Sequence, residues 1–235
     1  MKIDTDLVKN KEFSCPINSS AIKHSQEYRV LATLRYLFPK RFDTMKNDEA
    51  PDLQDCENGI GIEVTSAVKE SNMKVSRAFS DLCKGSQADI GHNKEVIVSN
   101  GYSFIDIVDE KVAISTMGTA DGEKYFFQQS IQRKIKKLPR YRENFKQIGL
   151  AIVLPEIPTT YAEEHMGEWA WEAFEGTSDK FDFIYVISHR FCIYYNVQEN
   201  VINKYKLKSE ENRLITTLAR MTAEGEISLT DIEWI

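Results

Sequence analysis

Apolar residues recur along this chain at two spacings, and the spacings predict its elements. Over residues 20–38, Val30, Leu31, Leu34, Leu37 and Phe38 fall at helical intervals. Ser19 or Ser20 can cap the start of that helix, and Pro39 ends it. Residues 41–55 are polar and contain Pro51, so they read as a loop entering a strand. Residues 59–65 read as that strand, following a turn at Glu57-Asn58-Gly59. A helix is expected over 66–83, ending at Gly85, and short strands over 95–98, 103–108 and 112–115. A long helix follows over about 124–144, with Pro139 as a kink or stop. Residues 149–154 are continuously apolar, the pattern of a strand buried on both faces. A helix over 161–174, strands near 181–187 and 191–197, and a helix around 210–221 complete the pattern. Mixed helices and buried strands mean an α/β fold. No linker divides the chain, so one domain over 1–235 is expected, with a core of about 20–155 and a C-terminal extension of about 156–235.

Alternation along the strand at 59–65 carries the first chemical signal. Ile60, Ile62 and Val64 point to one face; Gly61, Glu63 and Thr65 point to the other. Glu63 therefore shares its face with two small residues, which leave space for a ligand. The turn at Asn58-Gly59 can fold the segment holding Asp52 back beside the strand. Two carboxylates that converge in this way, completed by water, are what a magnesium ion takes. An edge strand with one exposed Glu beside a solvated acidic loop is the alternative.

Charge and composition narrow the function only slightly. The net charge of −6 argues against indiscriminate coating of nucleic acid. Seven cations nevertheless cluster at Arg133, Lys134, Lys136, Lys137, Arg140, Arg142 and Lys146, either as a solvated helix face or as a binding surface. The four cysteines form no CxxC pair, and the four histidines have no metal-ligand spacing. The N-terminal residues are polar, and no apolar run approaches the roughly 20 residues of a membrane helix. A cytoplasmic protein with reduced thiols, outside the membrane, is the expectation. No nucleotide-binding glycine loop or serine-hydrolase motif occurs.

The order Pro51-Asp52, a turn, then an apolar strand ending Glu63-Val64-Thr65 resembles the PD-(D/E)XK nuclease superfamily, in the variant with threonine at the usual lysine position. The resemblance implies a restriction-endonuclease-like core, a mixed central sheet flanked by helices. It implies Asp52, Glu63 and the Val64 carbonyl as ligands of Mg²⁺ or Mn²⁺, with Thr65 in the lysine position. Family members often carry an acidic residue on the preceding helix, and Glu27 lies on the inward stripe with Val30, Leu31, Leu34 and Phe38. Glu27 either faces the site or reaches water at the edge of the stripe. The helix pattern Ile131-x-x-Lys134-x-x-Lys137-Leu138-x-x-Tyr141 before an apolar strand is similar to that of the threonine variants. It implies that Lys134 replaces the missing lysine, with Lys69 as the second candidate; a Lys134 head that reaches water is the alternative. The implied activity is metal-dependent hydrolysis of phosphodiester bonds, with DNA as the expected partner. A catalytically inactive nuclease-like module that binds nucleic acid or protein is the second reading. A homodimer is left open.

Overall fold

The computed structural model describes residues 8, 10–13, 17, 21–67, 70–83, 89–107, 111–115, 120–154, 160–232 and 234. The expected caps Ser19 and Ser20, the stop at Gly85, Cys15 and the candidate Lys69 lie outside the described residues. The elements, in chain order, begin with helix α1 (Ile22–Leu37) and strands β1 (Lys46–Asn47), β2 (Leu53–Asp55) and β3 (Ile60–Ser66). Helices α2 (Glu70–Cys83) and α3 (Ile90–Ser99) and strands β4 (Ser103–Ile107) and β5 (Lys111–Ser115) follow. Then come α4 (Ala120–Ile135), α5 (Leu138–Arg142), β6 (Gln147–Val153), α6 (Thr160–Ala173), β7 (Phe183–Ile187), β8 (Phe191–Asn196), β9 (Val201–Lys206) and α7 (Ser209–Ala223).

Seven strands form one mixed sheet in the order β1-β2-β3-β6-β7-β8-β9. Its centre, β3-β6-β7, is parallel, and the pairs outside it are antiparallel. The chain is therefore α/β, as the alternation of elements predicts. Both faces of the centre are covered. Ile60, Ile62, Val64, Ala151, Val153, Tyr185 and Ile187 pack with Val30, Leu31 and Leu34 of α1 and Leu214, Ile215 and Leu218 of α7. On the opposite face Ile148, Leu150, Ile152, Ile184 and Val186 pack with residues of α4, α5 and α6, including Phe127, Ile131, Tyr141, Met166 and Trp169. This double covering is why β6 has no polar alternation. Gly149 is required there: a Cβ would fall 2.0 Å from the Phe183 ring, which fills the gap.

Several boundaries differ from the sequence reading. Residues 95–98 are not a strand; they belong to α3. Val96-Ile97-Val98 has the β-branched composition of a strand, but only Ile97 is buried, so the run is one contact residue between less buried neighbours. Residues 41–55 are not all loop, since they hold β1 and β2. The helix read over 66–83 begins at Glu70. The helix read over 124–144 is two helices, and the break falls at Lys136-Lys137, ahead of Pro139, which sits in the first turn of α5, where its missing N–H costs nothing. The edge strand β9 was not anticipated. The C-terminal third is integral to the sheet, supplying three of its seven strands together with α7, which lies along α1.

Candidate active site

β2 and β3 are antiparallel, with Leu53 opposite Ile62. One residue further along this register, Asp52 stands opposite Glu63, on the face that carries α4 and α5. The Asp52 carboxylate turns onto β3, where its Oδ2 accepts a hydrogen bond of 2.7 Å from the Val64 N–H. The register and this bond together fix the first acidic group beside the second. The small residue Gly61 leaves no ligand space, contrary to the sequence reading. A Cβ there would meet Pro51 Cγ at 2.7 Å and Phe145 at 3.2 Å, so the gap is filled by protein.

Glu63 is 1% exposed. A buried carboxylate is costly unless its charge is met, and here it is met from α4 and α5. Lys134 Nζ donates to Glu63 Oε1 at 2.5 Å and to the Val64 carbonyl at 3.2 Å. Lys137 Nζ donates to the same Oε1 at 2.6 Å, and Tyr141 Oη donates to Oε2 at 2.5 Å. Burial alone would push the Glu63 carboxyl up; the two ammonium groups and the phenol outweigh it and hold the carboxyl below its ordinary range. Burial, followed by the Glu63 charge, pushes the Tyr141 phenol up, so it remains a donor. Asp52 moves the other way. Burial raises its carboxyl above the ordinary value; the Val64 N–H opposes this, and the charge of Glu63 adds to it.

Glu27 faces this region from α1 and is 3% exposed. Its Oε2 is bonded to His24 Nδ1 at 2.9 Å and accepts from Asn47 Nδ2 at 3.0 Å. Asn47 Nδ2 also donates to the Asp52 carbonyl at 3.1 Å, so one amide ties Glu27 to the Asp52 segment. Lys23 Nζ lies 3.2 Å from Glu27 Oε1 and 3.8 Å from Asp52 Oδ1. Thr65, two residues beyond Glu63 on the same face of β3, is half-buried.

The structure thus brings Asp52, Glu63, the Val64 carbonyl, Lys134 and Glu27 to one edge of the parallel centre. Lys137 and Tyr141, part of the helix pattern in the sequence but given no role there, join them, as does Asn47, which the sequence did not single out. For Lys137 and Tyr141 a signal was available, since they follow Lys134 by three and seven residues at helical spacing, although the break at Lys136-Lys137 means that two stretches and not one helix bring them together. Asn47 sits in a polar stretch that gives no such signal. Elsewhere, His165 stacks on the exposed Tyr161 with ring centroids 3.9 Å apart, and of the two α6 tryptophans Trp169 is buried and Trp171 exposed.

Asp52, Glu63 and the Val64 carbonyl offer oxygen donors alone, the set that suits Mg²⁺ or Mn²⁺. The Lys134 ammonium already holds a positive charge on two of those three groups, so the place is one that accepts a cation. Among the described residues no three Asp, Glu, His or Cys side chains could together hold an ion. An ion here would rest on two carboxylates, a carbonyl and water. Among the described residues no helix is long and apolar enough to cross a membrane. No protein-family description, curated protein or solved structure matches the chain.

Proposed function

We propose that this chain is a metal-dependent nuclease of the PD-(D/E)XK type, with a restriction-endonuclease-like core, hydrolysing phosphodiester bonds of nucleic acid, DNA first. The observation that carries the reading is the seat of Lys134. Its ammonium bridges Glu63 and the Val64 carbonyl beside Asp52, on the inward side of a helix that leads into a parallel strand. Bound Mg²⁺ or Mn²⁺ would supply a Lewis acid for the phosphate oxygens and lower the pKa of a water. Asp52 and Glu63 would hold that ion together with the Val64 carbonyl. Lys134, displaced from Glu63, would stay within reach of the phosphate and stabilise negative charge as it develops during attack. Lys137 would give a second cation at the same atom, and Thr65 an uncharged hydrogen-bond donor. Glu27, through Asn47, would hold the Asp52 segment in place. The test is cleavage of labelled DNA and RNA, single- and double-stranded, in Mg²⁺ and in Mn²⁺. Activity that Asp52→Asn and Glu63→Gln each abolish is expected. Intact substrates under every condition would remove the enzyme reading.

A second reading is favoured by the same lysines. Lys134 and Lys137 together neutralise Glu63 without any ion, as an inactive nuclease-like binding module would require. Nucleic-acid binding without cleavage, insensitive to Mg²⁺, would select it.

A further inference from the structure

Between Ile131 and Gln147 the chain carries seven cations against one carboxylate, Glu143, although the whole chain has 30 Lys and Arg and 36 Asp and Glu. Lys146 lays its stem against Gly59, and the structure sorts the other six by task. Lys134 and Lys137 serve Glu63, and Arg142 holds Asp182. Arg133, Lys136 and Arg140 are exposed and make no ion pair with any described residue. A solvated helix face ordinarily mixes signs, so that charges of opposite sign meet at the next turn. This face does not.

Arg133 and Lys136 continue a stripe that begins at Tyr125. Residues 125, 129, 132 and 133 are spaced by four, seven and eight, which puts them on one side of α4, and Lys136 follows in the turn just past its end. The Tyr125 ring is 58% exposed. Gln129 Nε2 donates to Gln132 Oε1 at 3.2 Å, which fixes two amides between the ring and the cations. No Asp or Glu stands on the stripe. It ends at the break before α5, where Lys134 and Lys137 turn in to Glu63. From Tyr125 to the end of α4 at Ile135 the helix rises about 15 Å, the rise of about four stacked nucleotides.

A planar ring, two amides and three exposed cations at successive positions of α4, the break and α5 suit a single nucleic-acid strand. An aromatic face takes any base, and arginine and lysine take the phosphates. We infer that the exposed stripe of α4, continued to Arg140, is the track on which one strand of a phosphodiester substrate lies as it approaches Asp52 and Glu63. A base stacks on Tyr125, and phosphates rest on Arg133, Lys136 and Arg140. The inference rests on the nuclease reading for the destination of the strand, not for its binding.

The experiment is fluorescence anisotropy of a labelled, short, mixed-sequence DNA strand with the full chain in EDTA, over a series of NaCl concentrations. The variant Arg133→Ala/Lys136→Ala/Arg140→Ala should bind at least tenfold more weakly, and its salt slope should fall by about two, the value for three lost phosphate contacts. Tyr125→Ala should lose about tenfold with an unchanged slope. The control Lys40→Ala/Lys206→Ala/Arg213→Ala removes three exposed cations, none of them on α4 or α5, and should bind as the unaltered chain does. Circular dichroism confirms that each variant is folded. Equal losses in the two triple variants, no loss in Tyr125→Ala, or no binding by the unaltered chain would overturn the track. Displacement of the strand by poly-glutamate as readily as by unlabelled DNA would reassign the surface to acidic peptides. Binding that depends on the track but is never followed by cleavage in Mn²⁺ would remove the nuclease reading alone. Cleavage at full rate and unchanged KM by the Arg133/Lys136/Arg140 variant would remove the track alone.

Discussion

Asp52 and Glu63 are neighbours with opposite electrostatic burdens. Glu63 is met by two ammonium groups and a phenol, whereas Asp52 is met at short range by one backbone N–H. The lowered Glu63 carboxyl binds its proton less tightly folded than unfolded. Its contribution to stability is therefore fully present above its unfolded value of about 4.3 and is lost as pH falls through the lowered folded value. The raised Asp52 carboxyl binds its proton more tightly folded than unfolded, so ionised Asp52 costs stability at neutral pH. That cost is relieved as pH falls through the raised folded value toward about 3.9. Asp52→Asn should accordingly raise the midpoint of thermal unfolding at pH 7 without metal, and the gain should vanish on acidification; a loss of stability at pH 7 would contradict the assignment. Tyr141→Phe should destabilise by about 1–3 kcal/mol in urea unfolding, since it strands one oxygen of a buried carboxylate. The sequence makes these residues only partly legible. Alternation put Glu63 opposite the apolar face, and helical spacing aimed Lys134 inward. The Val64 N–H bond and the Pro51 ring filling the Gly61 gap depend on how Asp52 folds back, which no local pattern encodes.

At the scale of elements, the site is a junction of β2, β3 and the α4–α5 break. The break frees Lys137 from strict helical geometry while Tyr141 stays anchored in α5, so three side chains from two short stretches converge on one carboxylate. Lys134 also makes the junction a place of competition, because its ammonium holds the Glu63 and Val64 oxygens that an ion would need. Lys134→Met removes that competitor. It should therefore tighten Mn²⁺ binding in calorimetry by about tenfold, the equivalent of one charge-assisted hydrogen bond, even as it slows cleavage. Weaker Mn²⁺ binding in the variant would show that Lys134 supports the ion instead of excluding it. Elements with strong periodicity, α1, β6 and β7, were legible to within a few residues, and the start of α4 likewise, though its end was missed because the break precedes Pro139. Two kinds of element were not. β1 and β2 are two and three residues long, too short for a period to register. β9 is an edge strand with most of its residues exposed, so pairing with β8 shapes it more than burial does.

For the whole molecule, the two halves of the chain share one sheet, and the candidate site at β3 depends on strands that do not pair with it. β6 lies between β3 on one side and β7 on the other, and its apolar residues face both layers of helices. Removing residues 156–235 would take away β7, β8 and β9 together with α6 and α7. It would uncover Leu150 and Ile152 on one face and Ala151 and Val153 on the other, and expose the edge of β6 along its length. It would also remove Asp182, whose carboxylate accepts from the Ile148 N–H at 2.6 Å and holds Arg142 at the end of α5. α5 carries Tyr141, so the loss reaches Glu63 although no described residue after 155 hydrogen-bonds to its side chain. A fragment of residues 1–155 should therefore fail to unfold cooperatively, aggregate on size-exclusion chromatography and bind no Mn²⁺, despite keeping Asp52, Glu63, Thr65 and Lys134. A fragment that unfolds cooperatively and binds the ion as the full chain does would show that the first 155 residues close their own core. The site would then owe nothing to the strands beyond it.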